Sequence, residues 1–484
     1  MLCCKSWKSL SLILNLVKSP KFPYLAVFLV AVILRGIPEL LVSWYPVGYE
    51  TITWYAPVMM TFHSRDLVNV VQSTFRAGPL FYALMWLATA ATGAHPFIIL
   101  KLTAPLLYGG LAMSFLLFLK RGLKLDGKMA FVAALLLVFQ VAALRESWDR
   151  FRNVLGLIFV FATLTALRSN HKYKWSFVTG LAVLTALSRD YIALVLFAAV
   201  LGSAVLERKD GVLSLVALAP AFAVFAVMVY PARFWWNYVV GGAPIFYSET
   251  YLGVLLDVFS IFTVCFLPLL PFVVKGFKRD NLLDPMLAWL LLGSFSAVVI
   301  PWFALPGYQR WLILLVFPFS VYAVIGFERF QLFSEHRVRM LTAIILSFMV
   351  LGVGYSTGAF SYVVLPSSWV PTNLVQSSIA WDQIDDVKGA LWWLDENAVA
   401  NSYVLAEERF YGWTLIYLKR ANNDVEVMPY SAGSSPTPAL EKALADGFNW
   451  VYLIWYTDSN FKNFNVVYSQ NSISIFRYGI DFSG

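Results

Sequence analysis

The sequence predicts a polytopic α-helical membrane protein of about eleven spans with a soluble α/β domain at its C-terminal end. Three observations lead there. Hydrophobic residues make up 60% of the 484-residue chain and charged residues only 13%, giving a mean hydropathy of +0.69. Long apolar runs recur from Phe22 to about Phe360, and beyond that point they shorten to strand- and helix-sized pieces. The connectors between the runs alternate between dense basic clusters and lone arginines. A spanning helix needs about 20 mostly apolar residues, and in lipid only helices and closed barrels satisfy their own backbone groups.

The basic clusters fix the expected orientation. Lys5/Lys8/Lys18/Lys21, Lys120/Arg121/Lys124/Lys128, Arg168/Lys172/Lys174, Arg208/Lys209, Lys275/Lys278/Arg279 and Arg329/Arg337/Arg339 belong on the cytoplasmic side by the positive-inside rule. The net charge of +8 then reflects contact with anionic head groups rather than nucleic acid. The run from Phe22 is too long for a signal-peptide core and reads as an uncleaved first span, amino end inside. Threaded from there, Phe22–Val42 runs outward to a long outer loop, Ser43–Pro96. Phe97–Leu119 returns, Met129–Leu144 reaches an outer turn at Arg145–Asn153, and Val154–Leu167 returns. Trp175–Leu187 and Tyr191–Leu206 meet outside at Ser188-Arg189-Asp190. Val212–Tyr230 leads to the outer loop Pro231–Gly253, and Val254–Val274 returns. Pro285–Ile300, Arg310–Phe327 and Met340–Phe360 complete the weave, so a membrane domain 1–360 precedes an outer domain 361–484. Pro79–Thr92 is apolar but short for a span, and counting it would invert the clusters that follow. It is expected to be an interfacial or re-entrant helix within the outer loop.

In the C-terminal part, helices are expected at Asp385–Asn397, Arg409–Leu418 and Pro438–Ala445. Strands are expected at Tyr403–Ala406, Val425–Met428 and Trp450–Trp455, with a hairpin of Val466–Ser469 and Ile473–Arg477 around Gln470-Asn471. Strands alternating with helices imply a small α/β layer domain. Of the three cysteines, none lies after Phe360, so no disulfide framework holds this domain. The four histidines are scattered without ligand spacing, which assigns no zinc site. No phosphate-cradling glycine loop or Gly-x-Ser-x-Gly elbow is present, which argues against soluble nucleotide chemistry. Trp392-Trp393-Leu394-Asp395 reads as core aromatics of a helix.

Two constellations could carry chemistry. In the first outer loop, Glu50 follows Pro46 and Gly48 on a stiff turn amid aromatic residues. A partly desolvated carboxylate in a fixed place suits a general base; the other reading is an interfacial glutamate in an aromatic belt. Asp66 and Asp149 are alternative bases. Arg35 and Glu39, one turn apart, are expected to neutralise each other. The second constellation is the set of outer arginines, Arg145, Arg150, Arg152, Arg189, Arg233 and Arg310. Helical spacing brings Arg145, Asp149 and Arg152 towards one face. The positive-inside rule gives these arginines no reason to be outside. Each could be a snorkelling anchor or a local ion pair, but as a set they fit a phosphate group at the outer interface, since the guanidinium fork matches phosphate oxygens.

This layout resembles the GT-C superfamily of integral-membrane glycosyltransferases, which includes the dolichyl-phosphate-mannose protein mannosyltransferases and the lipid A aminoarabinose transferases. The resemblance rests on a first span followed by a long outer loop with an acidic residue (Glu50), on Pro79-Leu-Phe-Tyr82, on Gly180-Leu-Ala-Val-Leu-Thr-Ala-Leu-Ser-Arg189-Asp190, and on the outer C-terminal domain. The chain departs from the family in having Tyr49-Glu50 where an Asp, often followed by Glu, is usual, and Arg76-Ala77-Gly78 where a His precedes the proline. The resemblance implies sugar transfer, with inversion, from a polyprenyl (dolichyl) phosphate donor to an acceptor hydroxyl of a protein, glycan or lipid. Glu50 would be the base and the arginines would hold the donor phosphate. No cofactor is implied, and a phosphate leaving group does not demand a divalent metal. A transporter or flippase of lipid-linked sugars would share the arginines without needing a positioned base, and a non-catalytic scaffold on the same fold would need neither.

Overall fold

The computed structural model of the chain describes residues 19–42, 44–206, 208–229, 251–277, 280–300, 307–330, 334–358, 374, 376–377, 379–418, 424–430, 435–461 and 463–479. The boundary expected at 360/361 and Arg233 lie outside these residues.

The apolar stretches are helical as expected. α1 (Phe22–Leu41) is followed by a π-helical turn (Thr51–Tyr55), α2 (Ala56–Met60), α3 (Leu67–Thr74), α4 (Pro79–Thr92) and α5 (Pro96–Leu117). Then come α6 (Gly127–Phe139), α7 (Val141–Asp149), α8 (Phe151–Leu167), α9 (Lys174–Ser188), α10 (Asp190–Leu206) and α11 (Arg208–Val229). The series continues with α12 (Tyr251–Cys265), α13 (Leu270–Gly276), α14 (Leu283–Val299), α15 (Tyr308–Leu314), α16 (Val316–Arg329) and α17 (Ser334–Ser356). Among the described residues, five helical stretches are long and apolar enough to cross a membrane, and up to seven if each of two bent pairs is one span. The chain is a multi-pass membrane protein.

Two expected spans are broken: Val254–Val274 bends by 53° between α12 and the stretch Leu267–Gly276, and the second bends more sharply. Met129–Leu144 was expected as a single helix, but α6 and α7 meet at 62° across Gln140, whose backbone is extended at φ −73°, ψ 133°. The side-chain amide of Gln140 donates to Ser320 Oγ of α16 at 2.7 Å, so a buried polar contact holds the bend. The expected outer turn Arg145–Asn153 is instead the buried end of α7 and the start of α8. It carries Arg145, Glu146, Asp149, Arg150, Arg152 and Asn153, all at most 7% exposed. Charges so deep must be paired to be tolerated, and they are, as described below.

α4 occupies Pro79–Thr92 as expected, bounded by Gly78 and Gly93, both left-handed. In the C-terminal domain, α18 (Ile384–Asn397), β1 (Ser402–Glu407), α19 (Glu408–Tyr417), β2 (Val425–Tyr430), α20 (Thr437–Ala445), β3 (Trp450–Tyr456), β4 (Asn465–Gln470) and β5 (Ile473–Gly479) reproduce the expected order. The sheet runs β2-β1-β3-β5-β4. β1 pairs in parallel with β2 and β3, and β5 pairs antiparallel with β3 and β4. All of β1 is buried, as expected of a central parallel strand covered on both faces. Of the two tryptophans of α18 expected in the core, Trp393 is half-buried, packs against it and stacks on Tyr468 at 4.9 Å, whereas Trp392 is 47% exposed. The buried stripe of α18 is Val387, Ala390, Leu391 and Leu394, and helical spacing turns Trp392 away from it.

Candidate functional site

The site is built on the loop between α1 and the π-helical turn. Near the end of α1, Arg35 is fully buried and pairs with Glu39 at 2.8 Å, as the one-turn spacing predicts. Its guanidinium also donates to the carbonyls of Trp148 at 2.8 Å and Ser147 at 3.3 Å, tying α1 to α7. Glu39 accepts from the Val47 amide at 3.4 Å, and the Lys101 ammonium donates to the carbonyls of Val42 and Tyr45 at 2.6 and 2.9 Å. These bonds hold Val42, Tyr45 and Val47 in place. Gly48 then adopts φ +119°, where a Cβ would lie 2.6 Å from the Asp149 Cβ. Only glycine allows both that backbone and that approach.

Glu50 follows, immediately before the π-helical turn. Its backbone amide donates to Asp149 Oδ2 at 3.2 Å. Its carboxylate lies 3.4 Å from the Arg310 guanidinium and 3.9 Å from Arg150 Nε, with the side chain 15% exposed. Burial alone would raise its pKa, but Arg310, Arg150, Arg189 and Arg152 outweigh that and hold the carboxyl below its ordinary 4.5.

The arginines differ in what occupies them. Arg145 is paired with Asp149, and Arg150 donates to Glu146 Oε2 at 3.0 Å. Asn153 donates to Glu146 Oε1 at 2.7 Å and to the Tyr191 hydroxyl. Arg152 lies beyond the break at Arg150, so it does not share a face with Arg145 and Asp149 as expected. Its Nε donates to the Tyr55 hydroxyl at 3.2 Å, it bonds the Ala77 carbonyl, and it rests over the Tyr55 and Tyr82 rings. Arg189 is 3.3 Å from Asp190, and both Arg189 and Arg310 lie over the Tyr191 ring. Gly78, at φ +92°, lets the start of α4 press against the Ser188 carbonyl, where a Cβ would be 2.2 Å away. Residues from α7, α8, α9, α15 and the first loop thus converge on Glu50. The Nε–H groups of Arg150 and Arg189 are buried and face carboxylates, Glu50 at 3.9 Å and Asp190 at 3.3 Å, without a hydrogen-bond partner among the described residues. A buried donor left so is costly, and an anion beside Glu50 would satisfy it.

Asp66 is not part of this cluster. It is exposed and caps α3, accepting from the Asn69 amide at 2.7 Å, a role readable from an aspartate just before an amphipathic run. Asp149 is fully buried, and it is occupied by Arg145 and the Glu50 amide. Sequence reasoning missed Tyr191, Tyr55 and Glu146, because nothing local marks them as neighbours of Glu50. It also missed the C-terminal domain's reach into the site. Tyr49 donates to Glu408, Tyr45 to Asp385 at 2.9 Å, and Trp148 Nε1 to the Gln376 carbonyl at 3.0 Å. Among the described residues, no three His, Cys, Asp or Glu side chains are grouped to hold a metal ion.

No protein-family model and no curated protein matches the sequence; the likeness is to solved structures. The arabinofuranosyltransferase AftD from mycobacteria matches with a TM-score of 0.55 at 12% identity, over 96% of this chain and 40% of that one. The chain therefore spans about two fifths of AftD's length. ArnT from Cupriavidus metallidurans bound to undecaprenyl phosphate matches with a TM-score of 0.50 at 11% identity, over 96% of this chain and 100% of that one. Its apo form gives 0.51 at 11%, over 95% and 98%. The match takes in nearly the whole chain, and the chain shares the fold of these two transferases.

Proposed function

We propose that the chain is a glycosyltransferase that moves a sugar from a polyprenyl-phosphate-linked donor to an acceptor hydroxyl at the outer face of the membrane. The observation that carries the proposal is the convergence of Arg150, Arg189 and Arg310 on a single carboxylate, Glu50, with the Nε–H groups of Arg150 and Arg189 held by ion pairs and not by hydrogen bonds. Preorganised guanidinium groups suit a phosphate whose negative charge grows as it leaves, and a fixed carboxylate suits removal of a hydroxyl proton. The likeness of fold to ArnT, solved with undecaprenyl phosphate, agrees with such a donor.

In this reading the acceptor oxygen attacks the anomeric carbon from the face opposite the phosphate. The new carbon–oxygen bond forms with inversion as the bond to the phosphate oxygen breaks. The bonding pair leaves on the polyprenyl phosphate, where Arg150, Arg189 and Arg310 receive the charge, and the hydroxyl proton passes to Glu50. Before the donor binds, Glu50 neutralises Arg310. The donor phosphate takes over that contact, and losing the guanidinium charge strengthens Glu50 as a base. Arg145 and Arg152 brace the site through Asp149, Tyr55 and Ala77. The basic clusters support an inside amino end, an outside C-terminal domain and about eleven spans, with the shorter apolar helices crossing in the packed bundle. The test is release of polyprenyl phosphate when the purified protein meets a panel of polyprenyl-phosphate sugars and acceptors. Release without acceptor glycosylation, or none with any donor, would overturn it.

A further inference from the structure

The π-helical turn that carries Glu50 is gripped from the C-terminal domain at one junction, the end of β1 and the start of α19. Tyr49, directly before Glu50, donates its hydroxyl to the Glu408 carboxylate, 359 residues away. Burial and this carboxylate push the Tyr49 phenol well up, so it stays a donor at any physiological pH. One helical turn further on, Gly412 meets the turn backbone to backbone. A Cβ there would lie 2.4 Å from the Ile52 carbonyl and 2.6 Å from Thr53 Cα. Tyr45 meets α18 through Asp385, and its ring packs edge-on against Trp413 of α19 at 5.6 Å. Among the described residues, the Glu50 side chain is held by guanidinium groups, Arg310 at 3.4 Å and Arg150 at 3.9 Å. A carboxylate so placed keeps that geometry only while its backbone is held.

We infer that Glu408 is a positioning residue for Glu50. Through Tyr49 it fixes the backbone from which the Glu50 carboxylate reaches Arg310 at 3.4 Å and Arg150 at 3.9 Å, so the C-terminal domain sets how firmly Glu50 holds the arginines that a phosphate must engage. The inference rests on the reading of Glu50 and the arginines as base and phosphate site. A base displaced by about 1 Å loses much of its rate advantage, which gives this long-range contact functional weight.

Two measurements on the full-length protein in phosphatidylcholine nanodiscs test it. The first is hydrogen–deuterium exchange of the amides from Glu50 to Tyr55, which needs no substrate. Glu408→Ala and Tyr49→Phe each speed exchange there about tenfold or more, and Glu408→Gln, which still accepts from Tyr49, restores most of the protection. The second is a double-mutant cycle read by undecaprenyl phosphate affinity. The groups facing Glu50 are Arg150, Arg152, Arg189, Arg310, Tyr55 and Asp149. Because Glu50 competes with phosphate for the arginines, Glu50→Gln tightens binding about tenfold in the parent. In the Glu408→Ala background that gain changes by threefold or more, because Glu50 no longer sits at its fixed distance. Unchanged exchange in both variants overturns the inference. Faster exchange with an unchanged Glu50→Gln effect also overturns it, since Glu408 would then brace the domain without setting the site. If the parent does not bind undecaprenyl phosphate at all, the donor reading fails, and positioning is decided by the exchange data and the Glu408→Gln rescue alone.

Discussion

Arg310 offers the sharpest single perturbation, because it touches Glu50 directly and is still within reach of solvent. Its guanidinium lies 3.4 Å from the Glu50 carboxylate, and its side chain is 34% exposed. A hydrogen bond between charged groups contributes about 1.5–3 kcal/mol when shielded. Exposure of about a third calls for a discount towards the surface range, leaving about 1–2 kcal/mol for a phosphate held by Arg310. At 1.4 kcal/mol per factor of ten, Arg310→Ala weakens undecaprenyl phosphate binding about 5- to 30-fold. The upper end is favoured, since Glu50 loses its nearest countercharge and opposes the anion. Arg310→Lys recovers only part of the loss, because an ammonium keeps the charge without the planar fork. Titration of the lipid into nanodisc-reconstituted protein reads all three affinities. Arg337→Ala, in a basic cluster of α17 expected on the opposite side, leaves affinity unchanged. Equal loss from Arg337→Ala, or none from Arg310→Ala, refutes a phosphate site built around Arg310.

Other outcomes follow from the same contacts. Arg189→Ala, which removes a buried Nε–H beside Arg310, weakens lipid phosphate binding to a comparable degree in the same titration. Arg35→Ala leaves Glu39 buried without its main partner and unties the Ser147 and Trp148 carbonyls; breaking such a pair costs about 3–5 kcal/mol, readable as a lowered unfolding midpoint. Glu50 is held below its ordinary 4.5 when folded, so its ion pairs stabilise the protein above pH 4.5 and are lost as pH falls through the lower folded value. The stability difference between the parent and Glu50→Gln is therefore constant from pH 5 to 8 and shrinks below 4.5, measured by thermal unfolding. A cysteine at the exposed Ser435 reacts with a membrane-impermeant maleimide on intact cells; labelling only after permeabilisation reverses the orientation.

The elements were legible where their signals are local. Pro79–Thr92 is bracketed by Gly78 and Gly93, and the hairpin expected around Gln470-Asn471 forms one residue on, closed by Asn471-Ser472 with Asn471 at φ 45°. The Arg35–Glu39 pair came from spacing, whereas the contact of Glu50 with Arg310, 260 residues away, has no local signal. The bend at Gln140 was not legible, since no proline or glycine marks it and its cause is Ser320, 180 residues away. The Arg145–Asn153 segment looked like a turn because charge usually means exposure. Here Arg145 and Arg150 pair with Asp149 and Glu146 one turn away, and Arg152 bonds the Tyr55 hydroxyl and the Ala77 carbonyl, so the segment can be buried. The grip of Glu408 on Tyr49 depends on how two domains meet, which no local pattern encodes.

The central claim is that Glu50 takes the acceptor proton while the arginines hold the departing phosphate. Its most direct measurement is release of polyprenyl phosphate by the parent and by Glu50→Gln, with undecaprenyl phosphate affinity determined on both. The account predicts that Glu50→Gln abolishes release while binding the lipid phosphate at least as tightly as the parent, because the amide keeps the shape but cannot accept a proton. Sustained turnover by Glu50→Gln with intact binding contradicts it.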